Sequence, residues 1–202
     1  MLKTNIAVLV SGGGTNLEHL LQAEEAGLIP HGHITLVISN NPTAYALQRA
    51  ANHGVASAVA DHRGRSQQEF EDELQRLLEK NGIRLVILAG FLRILSADFV
   101  ARWPERIINV HPSLIPSFCG AGFYGLKVHQ AALDYGVKVS GATVHLVNEE
   151  PDGGRILLQK AVEVLPEDSP ETLQRRIMEQ AEWVLLPQAA ELMSKQIMEE
   201  EA

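Results

Sequence analysis

Asn109 and His111 stand two residues apart in the run IINVHPSLIP (107–116), among the core-type residues Ile107, Ile108 and Val110. Alternate residues of a strand share a face, so the amide and the imidazole project together. Pro112 ends the hydrogen-bonding ladder just beyond them. Polar groups in such a run need partners. An amide beside an imidazole at a strand's carboxyl end can orient a carbonyl and stabilise charge developing on its oxygen. Histidine also transfers protons near neutral pH. The plainer alternative is a histidine that only caps a loop carbonyl. A nearby carboxylate decides between the two, because it favours the protonated ring and fixes its orientation. Asp152, in EPDGG (150–154), is the candidate. Pro151, Gly153 and Gly154 permit a backbone that turns it inward, although Asp-Gly more often satisfies its own turn.

A second constellation is VLVSGGGTNLEHLL (8–21), a strand, a glycine turn and a helix. Three glycines let the backbone turn sharply and let an anion approach the N–H groups, where the helix dipole adds positive potential. A dinucleotide fingerprint needs glycine at position 17, which is Leu17, and no Gly-Lys-Ser/Thr follows for a P-loop. A simple phosphate cradle on Gly14, Thr15 and Asn16 is the better functional reading; a tight turn without ligand is the alternative.

The remaining histidines carry less. His31 and His33 sit in a Gly/Pro loop, His145 lies on a strand and can face either side, and His19, His53, His62 and His129 fall on helical or loop surfaces by pattern. The single cysteine, Cys119, excludes an internal disulfide and a cysteine-based zinc site. No metal is expected. A net charge of −8 argues against a nucleic-acid face. No apolar run reaches spanning length and no signal-peptide cleavage region is visible, so a cytoplasmic chain without membrane contact is expected.

These residues need elements to hold them. The chain has 202 residues, 46% hydrophobic, enough for one sizeable core. Strand-length apolar runs at 6–10, 34–39, 57–60, 85–90 and 106–111 alternate with helical periods at 16–27, 44–54, 66–82 and 96–103. That alternation predicts an α/β fold with a parallel sheet covered on both faces, and ligands beyond the strands' carboxyl ends. After residue 135 the pattern changes to two long strands, 138–147 and 155–164, joined by the turn NEEPDGG. A long helix follows, capped by Asp168 or Ser169 with Pro170 in its first turn; Pro187 kinks or splits it.

Five segments, VLVSGGGTNL, LAGFLRIL, INVHPSLIPSF, YGVKVSGATVHLV and DGG, occur in this order over nearly the whole chain. Together they resemble the folate-dependent formyltransferases, and most closely the branch that acts on glycinamide ribonucleotide (GAR) in purine synthesis. NVHPSLIP marks the wider family, which includes methionyl-tRNA formyltransferase and formyltetrahydrofolate deformylase. SGGGTNL is more particular to the GAR branch and the deformylase.

The resemblance implies a single domain over 1–202 with a Rossmann-like open sheet. Its parallel N-terminal half, about 1–105, binds phosphate; its C-terminal half, about 106–202, ends in an antiparallel hairpin and carries catalysis and folate binding; helices cover both faces. It implies transfer of the formyl group of 10-formyltetrahydrofolate, the co-substrate, to the amine of GAR by direct attack through a tetrahedral intermediate. Asn109, His111 and Asp152 are then catalytic, Gly14, Thr15 and Asn16 bind the substrate phosphate, and Glu182 contacts GAR. Leu92, Arg93, Ile94 and Leu95, with Asn109 and the turn Asn148, Glu149, Glu150 and Pro151, form the folate pocket. The implied partners are these small molecules only, in a monomer or homodimer.

Three departures stand out. The segment LIPSFCGAGFYGLKV (114–128) is longer than in familiar members. A Glu-His pair of the C-terminal helix reads Glu182-Trp183. An arginine near the folate tail aligns with Gln67, leaving Arg63 or Arg65 to substitute. The rival readings are a 10-formyltetrahydrofolate hydrolase and a nucleotide-binding module without chemistry. The hydrolase usually carries an extra N-terminal domain, for which the early first strand leaves no room.

Overall fold

A computed structural model describes residues 3–201. Strand β1 (Thr4–Val10) runs through the middle of a seven-stranded sheet. Its residues Ile6–Val10 are fully buried, as a strand covered on both faces must be. Helix α1 (Thr15–Glu25) leads to β2 (Gly32–Ser39), and α2 (Tyr45–Asn52) to β3 (Ala56–Val59). The chain then returns through α3 (Gln67–Lys80) to the other side of β1, forming β4 (Leu85–Leu88). After α4 (Ala97–Ala101) comes β5 (Ile107–His111). α5 (Leu126–Tyr135) precedes the long strands β6 (Val139–Leu146) and β7 (Ile156–Glu163). The order is β3-β2-β1-β4-β5-β6-β7, parallel from β3 to β5 and antiparallel from β5 to β7.

Alternation along β1 divides the core. Ile6, Val8 and Val10 pack with Leu17 and Leu20 of α1 and with the C-terminal helices. Ala7 and Leu9 face Phe70, Leu74 and Leu78 of α3 and Phe99 of α4. Serines fix where the second layer begins. Ser66 forms a capping box with Glu69 at α3, and Ser96 accepts from the Phe99 N–H at α4.

The strand order reverses between β1 and β4, which opens a crevice at their carboxyl ends. Two loops meet there: the Ser11 N–H donates to the Gly90 carbonyl at 3.2 Å, and the Leu92 N–H to Ser11 Oγ at 2.8 Å.

The C-terminal helix divides, but not at Pro187. α6 (Pro170–Ile177) is capped by Ser169, not Asp168, and passes through a π-helical turn, Met178–Glu182, into α7 (Trp183–Glu200), which runs on through Pro187. Proline withholds the N–H that the Trp183 carbonyl would otherwise accept, and the widened turn lies just before that carbonyl. Asp168 instead grips Arg176 through two oxygens, at 2.5 and 2.6 Å. No helix among the described residues is long and apolar enough to cross a membrane.

Candidate active site

Asn109 and His111 come from the end of β5 and share a face, as their spacing requires. Antiparallel pairing sets His145 of β6 directly opposite Asn109, and Thr143 opposite His111. Asp152 arrives from the β6–β7 turn with a φ of 57°, a left-handed backbone uncommon outside glycine. Gly154 makes that turn possible, since a Cβ there would meet the Leu146 carbonyl oxygen at 1.8 Å.

The four side chains form one network. Asp152 Oδ2 lies 3.4 Å from His111 Nδ1, and its Oδ1 lies 3.4 Å from Asn109 Nδ2 and 3.5 Å from His145 Nε2. Asn109 Nδ2 is 3.2 Å from His145 Nε2. His145 Nδ1 donates to the Leu146 carbonyl at 2.8 Å, and its Nε2 faces both Asn109 Nδ2 and Asp152 Oδ1. His111 Nε2 donates to the Phe118 carbonyl at 2.9 Å, and the Gly120 N–H donates to Asp152 Oδ2 at 2.8 Å. The long segment after HPS therefore lies directly over the polar cluster.

Burial works against ionisation of Asp152. The His145 hydrogen bond, the His111 charge and the Gly120 amide outweigh it and hold the carboxyl below its ordinary value. The Asp152 carboxylate lies against His111 Nδ1 and fixes the orientation of the ring. Cys119, next to this cluster, has its thiol pushed up by burial and by the Asp152 charge, which disfavours the thiolate.

The network opens onto a cleft of about 540 Å³. Leu92, Arg93, Ile94 and Leu95 form one wall, and Asn148, Glu149, Glu150 and Pro151 another; the glycine-rich segment 120–125 supplies a third. All eight residues expected from the first two walls thus line one cavity with Asn109, His111 and Asp152. Leu92 and Ile94 are about two-thirds exposed, apolar surface that a flat ring system can cover. Gln67 donates to Glu71 and to the Ile94 carbonyl, and Arg63 is engaged by Asp61.

Gly14, Thr15 and Asn16 do not line this cleft. They form the start of α1, with Gly14 at φ 73° and no side chain capping the helix. Its first N–H groups are therefore open to an anion. Asn16 Nδ2 donates to Glu182 Oε2 at 2.7 Å, which ties the glycine turn to the π-helical turn. Glu182 is buried, and burial pushes its carboxyl up to about 7 against the smaller opposing effect of Asn16.

The fold decides one histidine that the sequence left open and moves another from its expected place. His145 belongs to the cluster; strand alternation from Thr143 would place it there once β5 and β6 pair antiparallel. His129 is fully buried on α5 rather than on a surface, because that face of the helix packs inward with Val128 and Ala132. Its two ring nitrogens have no partner, and burial, with the His111 charge, pulls its pKa down to about 4. Among the described residues, no group of three His, Cys, Asp or Glu side chains is placed to hold a metal ion.

Comparison with known proteins decides the family. The formyl transferase family model matches residues 4–189. The chain belongs to the formyl transferase family. Phosphoribosylglycinamide formyltransferase of Haemophilus influenzae is 42% identical over 176 residues, 87% of this chain and 80% of its own length. The crystal structure of glycinamide ribonucleotide transformylase 1 from Symbiobacterium toebii superposes with a TM-score of 0.89 at 39% identity, covering 96% of this chain and 89% of that one. The chicken trifunctional purine biosynthetic protein adenosine-3 is 42% identical over 95% of this chain, which spans only 18% of that protein's length. The mixed seven-stranded sheet is thus the formyl transferase fold, with the polar cluster at its parallel-to-antiparallel junction.

Proposed function

We propose that this chain transfers the formyl group of 10-formyltetrahydrofolate to the amine of glycinamide ribonucleotide. The observation that carries this reading is the meeting of Asn109, His111 and Asp152 on a single cleft. Relatives named for GAR formyl transfer, similar over most of their own length, support the choice of substrate.

In this reading Leu92–Leu95 and Asn148–Pro151 hold the folate's ring system, with side chains over its faces and backbone groups along its edge. Gly14, Thr15 and Asn16 hold the phosphate of GAR, and Glu182 contacts the same substrate. The GAR amine attacks the formyl carbon. Asn109 and protonated His111 donate to the oxygen on which charge develops. That oxygen takes the place of the Phe118 carbonyl at His111 Nε2. Asp152, facing Nδ1, orients the ring and organises the water that carries the proton. One N–C bond forms at the amine, the C–N bond to the folate breaks, and the proton lost by the amine ends on the folate nitrogen. His145 holds the Asn109 amide in place.

Thermal-shift titration tests the pairing of substrates. A folate analogue and GAR should each stabilise the protein, by about 2.7 kcal/mol at a hundredfold excess over the dissociation constant. Stabilisation by nucleotides in general, with none from the folate analogue, would contradict the reading.

A further inference from the structure

We propose that His19, fixed by Trp183, is a specificity-determining residue of the phosphate subsite, its Nε2 meeting a phosphate oxygen held at Gly14–Asn16. The inference rests on reading that turn as the phosphate cradle. The imidazole of His19 and the indole of Trp183 stack with ring centres 3.6 Å apart and planes 9° from parallel. One edge of the imidazole is committed: Nδ1 donates to the Thr15 carbonyl at 2.9 Å. Nε2 is the nitrogen left for a ligand.

Direction favours the phosphate. A helical side chain leans over the turn that precedes its own Cα, and for His19 that is the first turn of α1, which begins at Thr15. Trp183 follows Glu182, whose carboxylate binds Asn16, so the head of α7 reaches the first turn of α1 with both side chains. The indole Nε1 is buried without a partner. What the indole offers is its face, which holds the imidazole flat against it. The other basic side chains near the turn are engaged. Arg49 donates to the Gly13 carbonyl and to Glu18, and His53 lies between Glu18 and Glu25.

Steady-state kinetics with GAR and with its dephosphorylated riboside test this. His19→Ala should raise KM for GAR about tenfold, the scale of one charge-assisted hydrogen bond, with kcat within about twofold and kcat/KM for the riboside unchanged. Trp183→Leu should follow it, while Trp183→Phe, which keeps a flat ring, retains most of the wild-type KM. His19→Asn, which has no nitrogen in the Nε2 position, serves if the alanine variant melts early, and the same riboside comparison then applies. Equal losses on both substrates, or none on either, would overturn the role of His19 and leave the cradle standing. A wild-type protein that treats GAR and its riboside alike would overturn the cradle itself.

Discussion

Asp152 is asked to serve several neighbours at once: two imidazoles, an amide and a backbone N–H all converge on its two oxygens. Its charge is what orders them. Asp152→Asn keeps the shape and removes the charge, so kcat should fall by about 10²–10⁴, the range typical of lost acid–base assistance, with the melting temperature little changed. His111→Ala should cost a similar factor. Near-normal turnover in either would remove that residue from the mechanism. Asn109, His111 and Asp152 are legible in the sequence because strand alternation and a Pro/Gly-flanked aspartate are local signals. His145 and His129 are not. Each depends on what packs against it: His145 on the antiparallel pairing of β6 with β5, His129 on which face of α5 turns inward.

Among the elements, α1 and α2 meet at a single glycine. A Cβ on Gly14 would lie 2.6 Å from Cβ of Ala46, and its φ of 73° adds strain for any other residue. Gly14→Ala should therefore destabilise the fold by about 1–3 kcal/mol and raise KM for GAR, measured by urea unfolding and by kinetics. Unchanged stability and KM together would mean that the turn tolerates a side chain and does not hold the substrate closely. The strand-helix alternation of the first 111 residues is legible because each parallel strand is apolar along its length and each helix keeps its own period. The π-helical turn is not. Pro187 announces trouble in the helix, but where the strain is taken up depends on how Glu182 and Trp183 are packed against α1.

At the scale of the whole molecule, two buried groups pull stability in opposite directions over one pH range. Glu182 has its pKa raised from 4.5 to about 7. Between those values the unfolded chain is ionised while the folded one stays neutral, so the fold loses up to about 3 kcal/mol as pH rises. His129 has its pKa lowered from 6.5 to about 4. There the unfolded chain takes up the proton first, so the fold loses a similar amount as pH falls. In urea unfolding, Glu182→Gln should gain stability relative to wild type as pH rises from 4.5 to 7, and His129→Leu should gain as pH falls from 6.5 to 4. Parallel curves for wild type and variants would show that neither group titrates as described. The crevice between β1 and β4 is a property of this scale too: sequence order gives the strands, and only their spatial order brings residues 14–16, 92–95, 109–111 and 182 to one end of the sheet. The account's central claim is that this end of the sheet passes a formyl group to an amine. The most direct measurement is the rate of formyl loss from 10-formyltetrahydrofolate with and without GAR. The account predicts loss that depends on GAR and yields formylated GAR in equal amount; the same rate of loss without GAR, with formate as the product, would contradict it.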